Sequence, residues 1–215
     1  VTLRHLILMR HGETDWNAQA RLQGHRDIPL NEVGQRQALA AAPSVAALSP
    51  ELVISSDLSR ARSTAAPVGG LLGLTVGIDV RLRETSMGRW EGLTREDVTA
   101  GWPGEWERWR TTSAHSSPPE GESRWQVAQR AAEVVAEVDA SDAERALLVA
   151  HGGLIVGLTG LLLDLPEDAW ATLIGIGNCH WVVLHRFMGS WRLHSYNAGL
   201  GGVILPGGDE ELAGA

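Results

Sequence analysis

Short unbroken apolar runs, set apart by helical stretches, constrain this chain more tightly than any other feature. The first runs from Leu3 to Met9, holds Leu6, Ile7, Leu8 and Met9 in succession, and is stopped by Gly12. A strand with one wet face alternates apolar and polar residues, so a run without alternation predicts a strand covered on both faces. Similar runs occupy Leu52 to Ser55, Leu74 to Val80, Ala146 to Ala150 and Trp181 to Leu184. Between them lie helical stretches. Asn31 to Ala42 ends at Pro43, Leu58 to Leu72 ends at Gly73, and Trp125 to Val138 places Val127, Ala131, Val134, Val135 and Val138 on one face. This alternation predicts an α/β layered domain with a largely parallel sheet.

At 215 residues the chain fits one domain of ordinary size. We expect a single domain over residues 1–198. Residues 85–124, rich in Trp, Gly, Pro and charge, read as an insert beside a site, and 199–215, Gly-rich and acidic, as a loosely ordered tail. Within the insert, Trp102, Trp106 and Trp109 recur at i, i+4 and i+7, which predicts one helix face seating the insert on the body, with one of the three lining the substrate mouth as the alternative. Trp16, Trp90, Trp125, Trp170, Trp181 and Trp191 are expected to be packing residues.

Composition removes whole chemistries. All 18 basic residues are arginine. Without a lysine amine there is no Schiff-base or pyridoxal enzyme, no P-loop NTPase and no protein kinase. A net charge of −8 with no basic run argues against a nucleic-acid partner. The single Cys179 excludes an intramolecular disulfide and a cysteine-ligated metal site, and suits a reducing compartment as buried filler. The apolar runs fall short of a membrane span and the N-terminus lacks the apolar segment of a secretory signal, so a soluble cytoplasmic protein with no membrane partner is expected.

Ligands of open α/β sheets bind beyond the carboxyl ends of the parallel strands. Potent side chains cluster at such ends here: Arg10-His11-Gly12-Glu13-Thr14, then Ser55-Ser56-Asp57 with Arg60 and Arg62, then Arg83-Glu84, then His151-Gly152-Gly153. Together they suit phosphoryl transfer. Arg10 and Arg60 can stabilise negative charge on the moving group, and a helix opening at Gly152 adds amide donors. A neutral imidazole can hold phosphorus covalently, and Glu84 can protonate a leaving oxygen and later deprotonate water. No histidine pair has the spacing of a helix-borne metal site. For His5, His25, His115, His180, His185 and His194 an ordinary structural role is expected, with contact to substrate as the alternative for His115, which lies in the insert.

The ordered set Arg10-His11-Gly12-Glu13-Thr14, Trp16-Asn17, Arg21-Leu22-Gln23-Gly24, Ser55-Ser56-Asp57-Leu58-Ser59-Arg60-Ala61, Leu82-Arg83-Glu84, Trp90-Glu91-Gly92-Leu93, Gly121-Glu122-Ser123 and Ala150-His151-Gly152-Gly153 resembles the histidine phosphatase superfamily, in its phosphoglycerate mutase-like branch. The resemblance spans about residues 4 to 197. It implies a three-layer α/β/α sandwich with a largely parallel central sheet. It makes His11 the phosphorylated nucleophile and Glu84 the acid and base. Arg10, Arg60 and His151 become the phosphoryl clamp, assisted by Asn17, Gln23 and the Gly152 amide. Arg62 has no counterpart. The resemblance implies no metal and no cofactor, a small-molecule phosphomonoester as partner, and allows a homodimer.

Two reactions fit that family. Mutases of this branch carry Glu-Arg-x-Tyr-Gly at the acid motif, where this chain reads Glu84-Thr85-Ser86-Met87-Gly88, so we expect phosphomonoester hydrolysis with isomerisation of phosphoglycerate as the alternative. A non-catalytic phosphate-binding regulator is a third reading, opposed by the joint presence of His11, Glu84, Arg10, Arg60 and His151. Leu148 to Ile155 and Gly177-Asn178-Cys179-His180-Trp181 are similar to actinobacterial members acting on glucosyl-3-phosphoglycerate.

Overall fold

A computed structural model describes residues 2–111 and 114–200. Strand β1 (His5–Arg10) leads through the single turn α1 (Asp15–Ala18) to helix α2 (Glu32–Ala46). Then follow β2 (Leu52–Ser55), α3 (Ser59–Leu72) and the two-residue β3 (Gly77–Ile78). Short helices α4 (Arg95–Gly101) and α5 (Glu105–Thr111) precede α6 (Arg124–Asp139), β4 (Arg145–Ala150), α7 (Gly152–Leu162) and the hairpin of β5 (Trp181–Phe187) with β6 (Ser190–Ala198).

The strands form one sheet in the order β3-β2-β4-β1-β5-β6. β1 pairs parallel with β4, and β2 pairs parallel with both β4 and β3, whereas β5 and β6 run antiparallel. Successive residues of a strand point to opposite faces, and both faces are filled. Leu6, Leu8, Ala146, Leu148 and Ala150 pack with Val127, Ala131, Val134 and Leu154 of α6 and α7. Ile7, Met9, Leu147 and Val149 pack with Ala38, Ala42, Ala61 and Val68 of α2 and α3. The result is the three-layer α/β/α sandwich that unalternated strands require.

Four local expectations are corrected. Helix α2 passes through Pro43 to Ala46: Pro43 lies on the exposed face, where water can meet the carbonyl left without an N–H, while Val45 continues the buried stripe. The run Leu74 to Val80 gives only two strand residues, because the Asp79 carboxylate accepts from Arg81 N at 2.8 Å and turns the chain into a 3-10 segment at Val80–Leu82. Strand β6 was not foreseen. It follows a two-residue turn in which Met188 and Gly189 both have positive φ (49° and 84°), the geometry of a tight hairpin.

The expectation for the three insert tryptophans also changes. Helix α4 ends at Gly101 and Gly104 takes φ 78°, so Trp102 is not on the helix of Trp106 and Trp109. All three instead surround buried Trp90, with ring centroids 6.4, 6.3 and 5.9 Å from it, and form a separate small core with Leu22, Met87 and Val98. The expected loose tail lies, from residue 201 onward, outside the described residues. Among the described residues no helix is long and apolar enough to cross a membrane.

Candidate active site

Sheet register builds the centre of the site. β1 and β4 end level, with Arg10 opposite Ala150, so His11 and His151 leave the sheet side by side. Their rings lie 5.1 Å apart and both side chains are buried. His11 Nδ1 contacts the Gly12 carbonyl at 2.7 Å. A carbonyl only accepts, so Nδ1 carries the proton and the Nε2 lone pair is left for chemistry. Burial, reinforced by the nearby Arg60 and Arg10 cations, holds His11 well below the usual histidine range, and therefore uncharged at neutral pH. His151 is lowered in the same way, by burial first and then by Arg60, His11 and Arg10. Its Nε2 meets Ser56 Oγ at 2.9 Å.

The loop after β1 sits backbone to backbone on the first turn of α2. A Cβ on Gly34 would lie 2.1 Å from Glu13 O, and one on Gly12 would lie 2.5 Å from Gly34 O. Only glycine at both positions permits that approach. Gly12 N donates to Thr64 Oγ1 at 3.0 Å, which ties the histidine loop to α3.

The first residues of α3 bring in Arg60, which is fully buried. Its Nη1 and Nη2 donate to the carbonyls of Arg26 and Gly24 at 2.6 and 2.9 Å. Burial lowers its pKa to about 10, still cationic at pH 7. Arg10 Nη1 donates to Ile176 O at 2.5 Å, and burial lowers this guanidinium too. Main-chain carbonyls thus fix both guanidiniums in place, an arrangement suited to an anion.

Glu84 sits against the N-terminus of α7. Its Oε1 accepts from Thr85 N (2.8 Å) and Leu154 N (3.1 Å), and its Oε2 from Gly153 N (3.2 Å). Orphan amides of the first helical turn thus orient the carboxylate. Its own carbonyl accepts from Arg130 Nη2 and contacts His25 Nε2, each at 2.8 Å. Arg130 also donates to Arg81 O and Arg83 O at 2.6 and 2.7 Å and pairs with Glu122 at 2.8 Å, so one guanidinium shapes the whole acid loop.

Arg10, His11, Gln23, Arg60 and Glu84 line one narrow pocket. Gln23 Oε1 accepts from Thr14 Oγ1 at 3.0 Å, leaving its amide N–H groups for that pocket. Asn17 completes a capping box with Thr14 and is joined to the site through Asn178, which donates to both Asn17 Oδ1 (3.3 Å) and His11 O (3.1 Å). Among the described residues, Asn17 Nδ2, Arg60 Nε and His151 Nδ1 are buried without a hydrogen-bond partner. Such groups each cost about 1–3 kcal/mol unless a ligand meets them. Gly152 opens α7 next to His151, whereas Arg62 is exposed. Thr64, Asn178, Arg130 and the pocket-lining Arg21 went unremarked as functional in the sequence. Among the described residues no group of three or more His, Cys, Asp or Glu side chains is placed to hold a metal ion.

Residues 6–199 match the family described as the histidine phosphatase superfamily, branch 1. The chain belongs to that superfamily. Among its relatives, a protein named glucosyl-3-phosphoglycerate phosphatase from Mycobacterium tuberculosis strain H37Rv is 44% identical over 212 residues, covering 91% of this chain and 95% of that protein. The protein of the same name from Mycolicibacterium vanbaalenii is 45% identical over 215 residues, again covering 91% and 95%. A solved structure of mycobacterial glucosyl-3-phosphoglycerate phosphatase complexed with VO3 superposes with a TM-score of 0.86 at 44% identity, over 91% of this chain and 100% of that one. The phosphatase superfamily fold thus extends across nearly the whole described chain.

Proposed function

We propose that this protein is a phosphatase that hydrolyses a small sugar–glycerate phosphomonoester, with glucosyl-3-phosphoglycerate as its substrate. The carrying observation is a buried, uncharged His11 with its Nε2 lone pair available, in one pocket with two fixed arginines and a carboxylate. The mycobacterial relatives' names supply the substrate class.

The reaction runs in two displacements. His11 Nε2 attacks phosphorus, a P–N bond forms and the bond from phosphorus to the ester oxygen breaks, while Glu84 gives its proton to the departing alcohol. Arg10 and Arg60 meet the negative charge on the outer oxygens, with Gln23, Asn17, His151 and the Gly152 amide as further donors. Water then attacks the phosphorus, gives its proton to Glu84, and the P–N bond breaks to release phosphate and neutral His11. The two arginines supply the charge stabilisation that a metal provides in other phosphatases, so the reaction needs none. We place it in the cytoplasm, acting on a free metabolite.

The test is release of phosphate from a panel of phosphomonoesters by the full chain in the presence of a chelator. Glucosyl-3-phosphoglycerate should be hydrolysed best and chelator should leave the rate unchanged. Loss of activity on chelation would overturn the metal-free chemistry. Conversion of 3-phosphoglycerate to 2-phosphoglycerate in the presence of bisphosphoglycerate, faster than any hydrolysis, would replace the phosphatase with a mutase.

A further inference from the structure

Two walls of the pocket around His11 come from distant stretches of chain. One is the loop of residues 23–26, which contributes Gln23 and whose Gly24 and Arg26 carbonyls hold the Arg60 guanidinium. The other is the acid loop from Glu84 to Ser86, secured from α6 by Arg130 on the Glu84 carbonyl and closed by the Glu122 carboxylate, which accepts from Ser86 N at 2.9 Å. The gap between these walls matters chemically. Arg60 holds the phosphoryl group while Glu84 must reach the ester oxygen on it, and a small misplacement of either slows the reaction steeply.

One side chain spans the gap. His25 sits in a pinned stretch: its main-chain N–H donates to Glu91 Oε1 at 2.9 Å, and Arg26 pairs with Glu91 Oε2 at 3.2 Å. On its other side Gly24 takes φ 51°, with no room for a Cβ beside the same carboxylate. From this anchor the ring crosses to the acid loop, where Nε2 meets the Glu84 carbonyl at 2.8 Å with Glu122 Oε2 at 3.7 Å. A carbonyl only accepts, so Nε2 carries the proton and donates.

We propose that His25 is a positioning residue for the acid: its ring ties the main chain of Glu84 to the loop that holds Arg60, and thereby sets the reach of the carboxylate to the leaving oxygen. Arg130 and the amides of Gly153 and Leu154 fix Glu84 on its own side of the pocket. His25 fixes it relative to the side that carries the phosphoryl group. The assignment rests on the phosphatase reading above and adds a residue that acts through Glu84 without touching substrate.

The experiment compares kcat/KM for benzyl phosphate and p-nitrophenyl phosphate. Both carry one aromatic ring, but the benzyl alkoxide leaves only with a proton, whereas p-nitrophenolate leaves without one. His25→Leu should lower kcat/KM for benzyl phosphate by about 10-fold or more, and for p-nitrophenyl phosphate by less than about 3-fold. His25→Gln, which keeps an N–H on a side chain of similar reach, should recover most of the benzyl rate. An equal fall on both esters, as a role in the clamp or in folding alone would give, or no fall on either, overturns the proposal. Should the variants fail to fold or benzyl phosphate be too slow to measure, wild type decides through its ring ¹⁵N–¹H spectrum, with His25 assigned from its chain neighbours. A proton on Nε2 at neutral pH is the expected result, and a ring without one rejects the bond to Glu84. Absence of hydrolysis of both esters and of glucosyl-3-phosphoglycerate by wild type would instead reject the phosphatase reading.

Discussion

His11→Ala should yield a folded protein that releases essentially no phosphate, with kcat down by about 10⁴-fold or more. The side chain removed is the uncharged imidazole that lines the pocket with Arg10, Arg60 and Glu84 and has its Nε2 lone pair left for attack. The fold should survive. His11 follows β1 rather than contributing to either apolar layer, and its main-chain N–H to Ala150 O (3.1 Å) does not depend on the side chain. Phosphate release measured beside the thermal midpoint separates the two effects. A variant that keeps even a tenth of wild-type turnover would contradict the assigned nucleophile.

Glu84→Gln has the second largest expected effect, and its size should depend on the leaving group. An alkoxide leaves poorly without a proton, so hydrolysis of a sugar–glycerate ester should fall about 10²–10⁴-fold. p-Nitrophenolate needs no proton to leave, so phosphorylation of the enzyme should stay fast while attack by water, which also needs the carboxylate, stays slow. Stopped-flow absorbance should then show a burst of up to one nitrophenolate per chain followed by a slow phase. The amide would also turn an N–H toward the Gly153, Leu154 or Thr85 donors that now meet the carboxylate. That mismatch alone predicts an equal loss on both esters without a burst, and such a result would remove Glu84 from acid–base duty.

The sheet centre was legible because Leu6 to Met9 and Ala146 to Ala150 are buried on both faces, which leaves no polar position to blur the run. β6 was not, because no residue of this edge strand is fully buried and several, Arg192 and His194 among them, face water, so it gives no apolar pattern. Pro43 and Asp79 misled at element ends, where one exposed carbonyl or one side-chain acceptor decides the boundary. The side chains of the candidate site come together for a related reason. Parallel strands that end level gather whatever follows them, and each expected side chain but Asn17 and Gln23 follows a strand end closely.

The supporting groups lacked any such marker. Arg130 acts on three main-chain carbonyls some 46 to 49 positions away, and nothing in its own surroundings distinguishes it from the other arginines. Asn178 likewise reaches His11 O across 167 positions. The tryptophans showed an apolar stripe, but only the fold reveals that Trp102, Trp106 and Trp109 gather around Trp90 in a small core of their own.

The central claim is that phosphorus passes through His11. The most direct measurement mixes wild-type protein with a phosphate-labelled ester, quenches within milliseconds in base, which preserves phosphoryl-histidine, and maps the label by peptide mass. Label on the His11 peptide that appears before free phosphate, is lost in acid and is absent from His11→Ala is the predicted result. Phosphate released with no protein-bound label at any time, or label on another residue, would contradict it.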